Sequence, residues 1–202
     1  VPTDAYGLDE AVADGYLVPP LAISVPLKFQ REGIKYSERS EEEQAEWDAL
    51  EWNEEGRIPE EVSAGALNHW FFNADTVDKV LETLMTQGRK VAGGDRLGKT
   101  ILFARNQAHA DFIAKRFDAN YPAYKGHFAR VVTCATDYAQ SLINDFSARE
   151  KAPHIAISVD MLDTGIDVPE VLNLVFFKPV YSHTKFWQML GRGTRLCKDL
   201  FG

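Results

Sequence analysis

Residues 171–177, with the sequence Val-Leu-Asn-Leu-Val-Phe-Phe, form a nearly continuous apolar run. Such a run predicts a β-strand that is buried on both faces, which is typical of parallel sheets covered by helices. Apolar runs at 101–104 and 155–159 predict two further strands, and a fourth strand is predicted near 131–134. Together the four runs predict a largely parallel central sheet.

Apolar residues at helical spacing separate the predicted strands. Positions 77–85 predict a helix that Asp75 or Thr76 begins and Gly88 ends, and Ser182 is expected to begin the last helix. Two helices between them are predicted from Ala108, Phe112, Ile113 and Phe117, and from Leu142, Ile143 and Phe146. This alternation predicts an α/β fold with helices on both faces of the sheet, in which ligands collect at the carboxyl ends of the strands.

The first 73 residues have a different character. Alternating apolar residues predict a strand, and these are Leu21, Ile23, Val25, Leu27 and Phe29. Residues 38–61 hold 11 of the 30 acidic residues against two basic ones, which predicts an exposed helix or a mobile insert with a solvated face. We expect residues 1–73 to form an N-terminal extension and residues 74–202 to form the main domain.

The composition suits a globular protein with a sizeable core, since 45% of the 202 residues are hydrophobic and 26% are charged. No apolar run approaches the roughly 20 residues of a membrane-spanning helix, and no leader-like segment opens the sequence, so we expect a soluble intracellular protein. Cys134 and Cys197 lie in no CxxC or Cys/His cluster. We therefore expect two reduced, packed thiols and no metal site.

The net charge of −8 hides an uneven distribution. From Arg89 to the C-terminus, 16 basic residues stand against 11 acidic ones, because so many of the acids lie in residues 38–61. A phosphate-binding surface is therefore compatible with the main domain, although the whole chain is acidic.

Gly93, Gly98, Lys99 and Thr100 fit the spacing GxxxxGK[ST] of a phosphate-binding loop. A working loop of this kind leaves a strand and enters a helix whose amino terminus faces the phosphates. Here the order is inverted, because the preceding stretch is polar and Thr100 runs directly into the predicted strand 101–104. We interpret the motif as a glycine-rich connector, with a self-sufficient phosphate-loop kinase or ATPase as the alternative.

A glutamine and two arginines stand together in residues 188–195, Gln-Met-Leu-Gly-Arg-Gly-Thr-Arg. Gln188, Arg192 and Arg195 would share one face of a continuous helix, unless the two intervening glycines end it early. Convergent guanidinium groups bind phosphate oxygens and neutralise the charge that develops in phosphoryl transfer. The alternative is a surface arginine pair beside a glycine turn.

Residues 163–169, Asp-Thr-Gly-Ile-Asp-Val-Pro, form the predicted loop between strands 155–159 and 171–177. This loop lies at the carboxyl end of a strand, where a glycine permits close approach of the backbone to a ligand. By itself, the loop is more typical of an ordinary Asp-Gly turn.

Joint occurrence gives these segments more weight, because in this order and spacing they resemble the C-terminal RecA-like domain of superfamily 2 helicases. Residues 101–110 resemble motif IV of that family, residues 163–169 resemble motif V, and residues 188–195 resemble motif VI. The resemblance implies a RecA-like three-layer domain, preceded by an N-terminal extension that carries the acidic insert 38–61.

Three phrases resemble more specifically the R, or motor, subunit of type I restriction enzymes. They are Tyr-Leu-Val-Pro-Pro at 16–20, Gly-Asp-Arg-Leu-Gly-Lys-Thr at 94–100, and residues 160–169. The resemblance extends over nearly the whole chain, and residues 38–61 are its least informative part.

The family resemblance implies roles for eight residues. Arg192 and Arg195 match the motif VI arginines that approach the γ-phosphate of ATP, which makes them the implied catalytic residues. The implied nucleotide-binding residues are Gln188, Gly165 and Asp167, and the implied contacts with the DNA backbone are Thr164, Arg105 and Asn106.

The resemblance also implies an ATP-dependent DNA translocase of the bacterial or archaeal cytoplasm. Its partners would be double-stranded DNA, a first RecA-like domain of the same subunit, and the modification and specificity subunits of a type I complex. The first domain supplies the phosphate loop and the acidic Mg²⁺-binding motif, so the Mg²⁺ ligands are expected outside this chain. We therefore expect an excised domain that does not hydrolyse ATP alone, with the nuclease elsewhere in the system.

Two further interpretations remain open. The chain could be the helicase domain of a DNA repair or remodelling motor, or a non-enzymatic interaction module whose acidic segment 38–61 binds a partner. An upstream phosphate loop and a nuclease motif in the flanking coding sequence would favour the restriction motor over both.

Overall fold

The computed structural model of the chain describes residues 8–25, 34–35, 61–62, 73–134, 138–159, 161–162, 168–178, 180, 182–197 and 200. Within these ranges, no helix is both long and apolar enough to cross a membrane. Five α-helices are present in the described ranges: α1 (Leu8–Ala13), α2 (Ala74–Gln87), α3 (Gln107–Asn120), α4 (Ala139–Ser147) and α5 (His183–Leu190). The strands are β1 (Ile34–Lys35), β2 (Glu61–Val62), β3 (Lys90–Val91), β4 (Arg96–Leu97), β5 (Lys99–Ala104), β6 (Ala129–Val131), β7 (Ile155–Ser158) and β8 (Val171–Phe177).

The central sheet has the strand order β6-β7-β5-β8, and all its neighbouring strands are parallel. Ile101 in the middle of β5 pairs with Ala156 of β7 and Leu174 of β8. Parallel neighbours need crossover connections, and α3 and α4 lie in the connections that follow β5 and β6. The predicted largely parallel α/β sheet is confirmed.

Two apolar clusters make three layers out of these elements. Leu102 and Ala104 of β5 pack in one cluster with α2 and α3, to which Leu81 and Phe117 belong. The alternate β5 residues pack in the other cluster with α4 and α5, and its members include Ile101, Phe103, Phe146 and Met189. Because side chains alternate between the two faces of a strand, a run of apolar residues fills both layers at once.

The ends of the helices correct one prediction and confirm another. Helix α2 is capped by Asn73, whose side-chain oxygen accepts a hydrogen bond from the Thr76 amide at 3.0 Å, and not by Asp75 or Thr76. Asn73 satisfies a free amide of the first turn, which is the usual work of an N-cap residue. Ser182 caps α5 as predicted.

Two predicted strands differ from the structure. The strand expected near 131–134 lies at Ala129–Val131, because its register is set by pairing with β7. Residues 21–25 form no strand, and Leu21 and Ile23 are more than half exposed. A strand needs a hydrogen-bonded neighbour, and alternation alone does not supply one. Leu27 and Phe29 fall outside the described residues, and so does most of the acidic segment 38–61.

Candidate functional site

The carboxyl ends of β5, β7 and β8 meet at one edge of the sheet, because the three strands are parallel neighbours. Arg105 and Asn106 directly follow β5, and Lys178 directly follows β8. This edge is where ligands bind in open α/β sheets. The structure therefore places two of the predicted DNA-contacting residues, Arg105 and Asn106, at the expected edge.

Helix α3 fixes the backbone at this edge. The side-chain oxygen of Asn106 caps the helix by accepting a hydrogen bond from the His109 amide at 2.9 Å. The Arg105 amide in turn donates to Nδ1 of His109 at 3.2 Å, and the His109 ring is fully buried against Phe177. Asn106 thus has a structural role as a helix cap, independent of any contact with DNA.

Lys178 was not singled out by the sequence analysis. Its Nζ donates a hydrogen bond to the carbonyl oxygen of Val159, directly beyond the end of β7, and lies 6.0 Å from the centroid of the Phe103 ring. The lysine therefore ties the exits of β7 and β8 together across β5. A usable signal existed, because Lys178 directly follows the apolar run 171–177 at a carboxyl strand end.

The loop between β7 and β8 carries three further predicted residues. Thr164, Gly165 and Asp167 lie outside the described residues, and their predicted roles stay predictions.

The arginine pair lies in a turn that we call the arginine turn, residues 191–195. Helix α5 ends at Leu190, and the amide of Arg192 donates to the Met189 carbonyl at 3.1 Å. Gln188 is therefore the only one of the three predicted motif residues on the helix, where it is exposed. The sequence left open whether the glycines end the helix early, and the structure shows the early end, with Gly191 as the C-cap residue before either arginine. Gln188, Arg192 and Arg195 therefore do not share one helix face.

Buried residues anchor the arginine turn to the sheet. Thr194 is 2% exposed and Met189 is fully buried. A Cβ atom on Gly193 would lie 3.0 Å from the Leu174 side chain of β8, so the backbone approaches this edge strand more closely than a larger residue allows. Arg192 and Arg195, on either side of Thr194, are both half-buried. The two arginines therefore lie in one short turn and not on a helix.

The N-terminal segment makes a backbone contact with the arginine turn. The Val18 amide donates a hydrogen bond to the Thr194 carbonyl oxygen at 2.8 Å. Leu17 and Arg195 form an antiparallel bridge pair next to that bond. Residues 17 and 195 are distant in sequence, so no local pattern could have predicted their pairing.

The glycine-rich stretch before β5 does not form a phosphate-binding loop. Strands β3 and β4 pair as a short antiparallel ribbon around a 3₁₀ turn at Ala92–Gly94, and the chain then enters β5 at Lys99. A phosphate loop would instead enter a helix. The phosphate-loop alternative is therefore wrong, and the prediction of a glycine-rich connector is confirmed.

Lys99 points into the protein at the amino edge of the sheet, the edge opposite to Arg105. Its Nζ donates to the carbonyl oxygens of Lys151 and Pro153, and it lies 5.2 Å from the centroid of the Phe146 ring. Burial lowers the pKa of Lys99 to about 8, against a weaker opposing effect of the Glu170 charge. The lysine stabilises the backbone before β7 and has no outward path to a phosphate.

The two cysteines are not joined in a disulfide. Cys134 is exposed, so the expectation that it packs in the interior is wrong, and Cys197 is half-buried with its Sγ 3.9 Å from a guanidinium nitrogen of Arg149. Among the described residues, no group of three or more His, Cys, Asp or Glu side chains is placed to hold a metal ion.

Comparison with protein families gives a match over most of the domain. Residues 77–197 match the family described as the helicase conserved C-terminal domain. The endonuclease subunit of the type I restriction enzyme EcoKI from Escherichia coli K12 is 27% identical over 214 aligned residues. That alignment covers 98% of the present chain and 17% of the relative, so the chain spans about a sixth of the relative's length.

Two solved structures have similar folds. A fragment assigned to the HsdR subunit of a type I restriction enzyme from Vibrio vulnificus is 29% identical, with a TM-score of 0.52 over 67% of this chain and 25% of that one. The type ISP restriction-modification enzyme LlaBIII, solved bound to DNA, is 14% identical, with a TM-score of 0.51 over 96% of this chain and 12% of that one. The second similarity concerns the fold alone.

Proposed function

We propose that this chain, which belongs to the helicase conserved C-terminal domain family, is the second motor domain of an ATP-dependent DNA translocase in a type I restriction endonuclease subunit. In this proposal residues 74–202 form the second RecA-like domain, and residues 1–73 are the extension that connects it to the first. The observation that carries the proposal is the arginine turn, in which two half-buried arginines flank a buried threonine beside the sheet.

Arg192 and Arg195 would contact the γ-phosphate of an ATP molecule held mainly by the first motor domain. Guanidinium groups form paired, charge-assisted hydrogen bonds with phosphate oxygens. A positive charge at the γ-phosphate stabilises the negative charge that develops as the phosphoryl group departs. Gln188 on α5, together with Gly165 and Asp167, would line the same nucleotide. The Mg²⁺ ion that accompanies ATP would be held by residues outside this chain.

The arginine turn suits this task because its backbone is fixed from several sides. Met189 and Thr194 anchor it in the interior, and Gly193 holds it against Leu174 of β8. A fixed backbone reduces the reorganisation needed when the arginine reaches the phosphate, which is the advantage of preorganised electrostatic catalysis.

Double-stranded DNA would lie along the carboxyl edge of the sheet. Arg105 and Asn106 are at that edge, and Thr164 belongs to the β7–β8 loop that leaves from it. The excess of basic residues after Arg89 gives this domain the charge that backbone contacts need. The modification and specificity subunits, and a nuclease outside this chain, would complete the restriction complex.

Arginine substitutions in the complete motor subunit test the proposal. We expect Arg192→Ala and Arg195→Ala each to reduce the kcat of DNA-stimulated ATP hydrolysis by roughly 10³-fold or more, the scale of arginine fingers in other phosphoryl-transfer proteins. The KM for ATP should change much less, because most nucleotide contacts belong to the first domain. Lysine variants should rescue poorly, because lysine supplies the charge without the planar fork.

Arg130→Ala is the matched control, because Arg130 is an exposed arginine whose guanidinium donates to the nearby Gly126 carbonyl. It should keep wild-type kcat. Wild-type hydrolysis and translocation by both the Arg192→Ala and the Arg195→Ala subunits would contradict the proposed role of the arginine turn.

A further inference from the structure

Residues 16–18 connect helix α1 to the arginine turn through backbone hydrogen bonds, and we call them the strap. On one side, the amides of Tyr16 and Leu17 donate to the Ala11 carbonyl oxygen at 2.8 Å and 3.1 Å. On the other side, the Val18 amide donates to the Thr194 carbonyl at 2.8 Å, beside the Leu17–Arg195 bridge. Three consecutive amides are therefore all engaged, and the last of them holds the arginine turn.

Two of the three strap side chains are largely in water. Tyr16 is 69% exposed and Val18 is 41% exposed, whereas Leu17 between them is half-buried. The backbone hydrogen bonds of Tyr16 and Val18 are therefore important in determining where the strap lies. A contact of this kind is local and directional, and it can be released without unpacking the core.

The strap contacts the arginine turn at its C-terminal end. Gly193 lies close to the Leu174 side chain of β8, and Thr194 is buried. Arg195 comes next, and its backbone has Leu17 as its partner across the bridge.

We propose that the strap positions Arg195 for catalysis, and that Val18, through its backbone amide, is a positioning residue of the ATP site. The inference rests on the proposed function, because it requires Arg195 to act on ATP. In the proposed domain arrangement, residues 1–73 lead from the first motor domain. A movement of that domain would therefore be transmitted through the strap to the backbone of Arg195, so that the strap couples domain position to hydrolysis.

Val18→Pro tests this, because proline removes the one amide hydrogen that reaches Thr194. Val18→Ala is the matched control, because it shortens a partly exposed side chain and keeps the amide. In the complete motor subunit, we expect Val18→Pro to lower kcat for DNA-stimulated ATP hydrolysis roughly three- to tenfold, the scale of one hydrogen bond. The KM for ATP should stay unchanged, and Val18→Ala should stay within twofold of wild type.

A second pair of variants tests the strap without proline. Gly15 turns the chain between α1 and the strap with φ of +76°, and a Cβ atom added there would meet nothing within 4 Å. Gly15→Ala should therefore strain only the backbone and lower kcat in the same direction as Val18→Pro. Gly15→Asn should be closer to wild type, since asparagine tolerates this conformation better.

The mechanism predicts non-additivity, which single-turnover hydrolysis can measure. Val18→Pro should cause no further loss in an Arg195→Ala subunit, because it acts through the residue already removed. If Val18→Pro lowers kcat equally in the wild-type and the Arg195→Ala subunits, the proposal is overturned. It is also overturned if Val18→Pro and Val18→Ala have the same kcat while Arg195→Ala is strongly impaired. Wild-type kcat in Arg195→Ala would instead overturn the proposed function together with the strap.

Discussion

Asp78 on α2 holds Arg116 on α3 in a two-pronged ion pair, with Nε of the arginine 2.8 Å from one carboxylate oxygen and Nη2 bonded to the other. Asn120, one helical turn further along α3, donates to the same carboxylate at 2.7 Å. The pair is only partly exposed. One acidic residue thus fixes the packing of the two helices that cover one face of the sheet.

Asp78→Ala should lower the free energy of unfolding by about 1–2 kcal/mol, because paired, charge-assisted bonds between partly buried groups are stronger than exposed ones. Urea denaturation of the 202-residue chain would measure this. Glu82→Ala is the control, because Glu82 forms an exposed ion pair with Lys79, and we expect a change below about 0.5 kcal/mol. Equal stabilities of the two variants would contradict the inferred role of Asp78 in packing α2 against α3.

Lys99 should make stability depend on pH in alkaline solution. Its pKa is lowered from 10.5 to about 8 in the folded chain by burial. Between these two pKa values Lys99 is protonated in the unfolded chain but not in the folded chain. The free energy of unfolding should therefore rise with pH by at most about 1.4 kcal/mol per pH unit. Lys99→Met, which removes the titrating group, should lack this increment when the two proteins are compared by denaturation between pH 7.5 and about 10.5. If the free energies of unfolding of the two proteins depend on pH in the same way, this prediction is contradicted.

Lys99→Met should also leave the ATPase activity of the complete motor subunit nearly intact, provided that the variant folds. The physical reason is position, because Lys99 is buried at the amino edge and bonds to two backbone carbonyl oxygens. Steady-state hydrolysis at saturating ATP is the measurement. A loss of several hundredfold in a folded variant would contradict the purely structural role of Lys99.

His154 should make the chain less stable in acid. Burial, followed by the positive charges of Lys99 and Arg96, lowers the pKa of His154 from 6.5 to about 4, while Glu150 opposes the shift. Between these two pKa values His154 is protonated in the unfolded chain but not in the folded chain, so the free energy of unfolding should fall as pH drops from about 6.5 to 4. His154→Phe should remove this part of the acid sensitivity, and His183→Phe should keep it, because His183 is exposed and is not among the groups that shift the pKa of His154. Identical acid denaturation of both variants would contradict the assignment.

The isolated chain should fold cooperatively but hydrolyse ATP at the background rate, because in the proposed motor the nucleotide is held mainly by another domain. Its binding to double-stranded DNA should be weak and should fall steeply with salt, since phosphate contacts release condensed counterions. Fluorescence anisotropy over a salt series and a phosphate-release assay would measure both properties. Robust DNA-stimulated hydrolysis by the purified chain would contradict the proposal.

The elements with strong local signals were predictable from the sequence. The apolar runs at 101–104, 155–159 and 171–177 became β5, β7 and β8, and helical spacing gave α2, α3 and α4. These signals are local because a buried strand or an amphipathic helix repeats its apolar side chains at a fixed period. The order of the four strands required the tertiary structure, since no local pattern says that β5 lies between β7 and β8.

The candidate site divides in the same way. Residue type and spacing were enough to single out Arg192 and Arg195 as candidates, because guanidinium chemistry is a property of the side chain itself. Alternation at 21–25 predicted a strand that did not form, and residues 188–195 left open whether their glycines end α5. Only the tertiary structure joined Val18 to Thr194 and Lys178 to Val159, because these bonds connect segments whose approach is decided by the packing of the whole sheet. The sequence determined which chemical groups the arginine turn carries, and long-range packing determined what holds them in place.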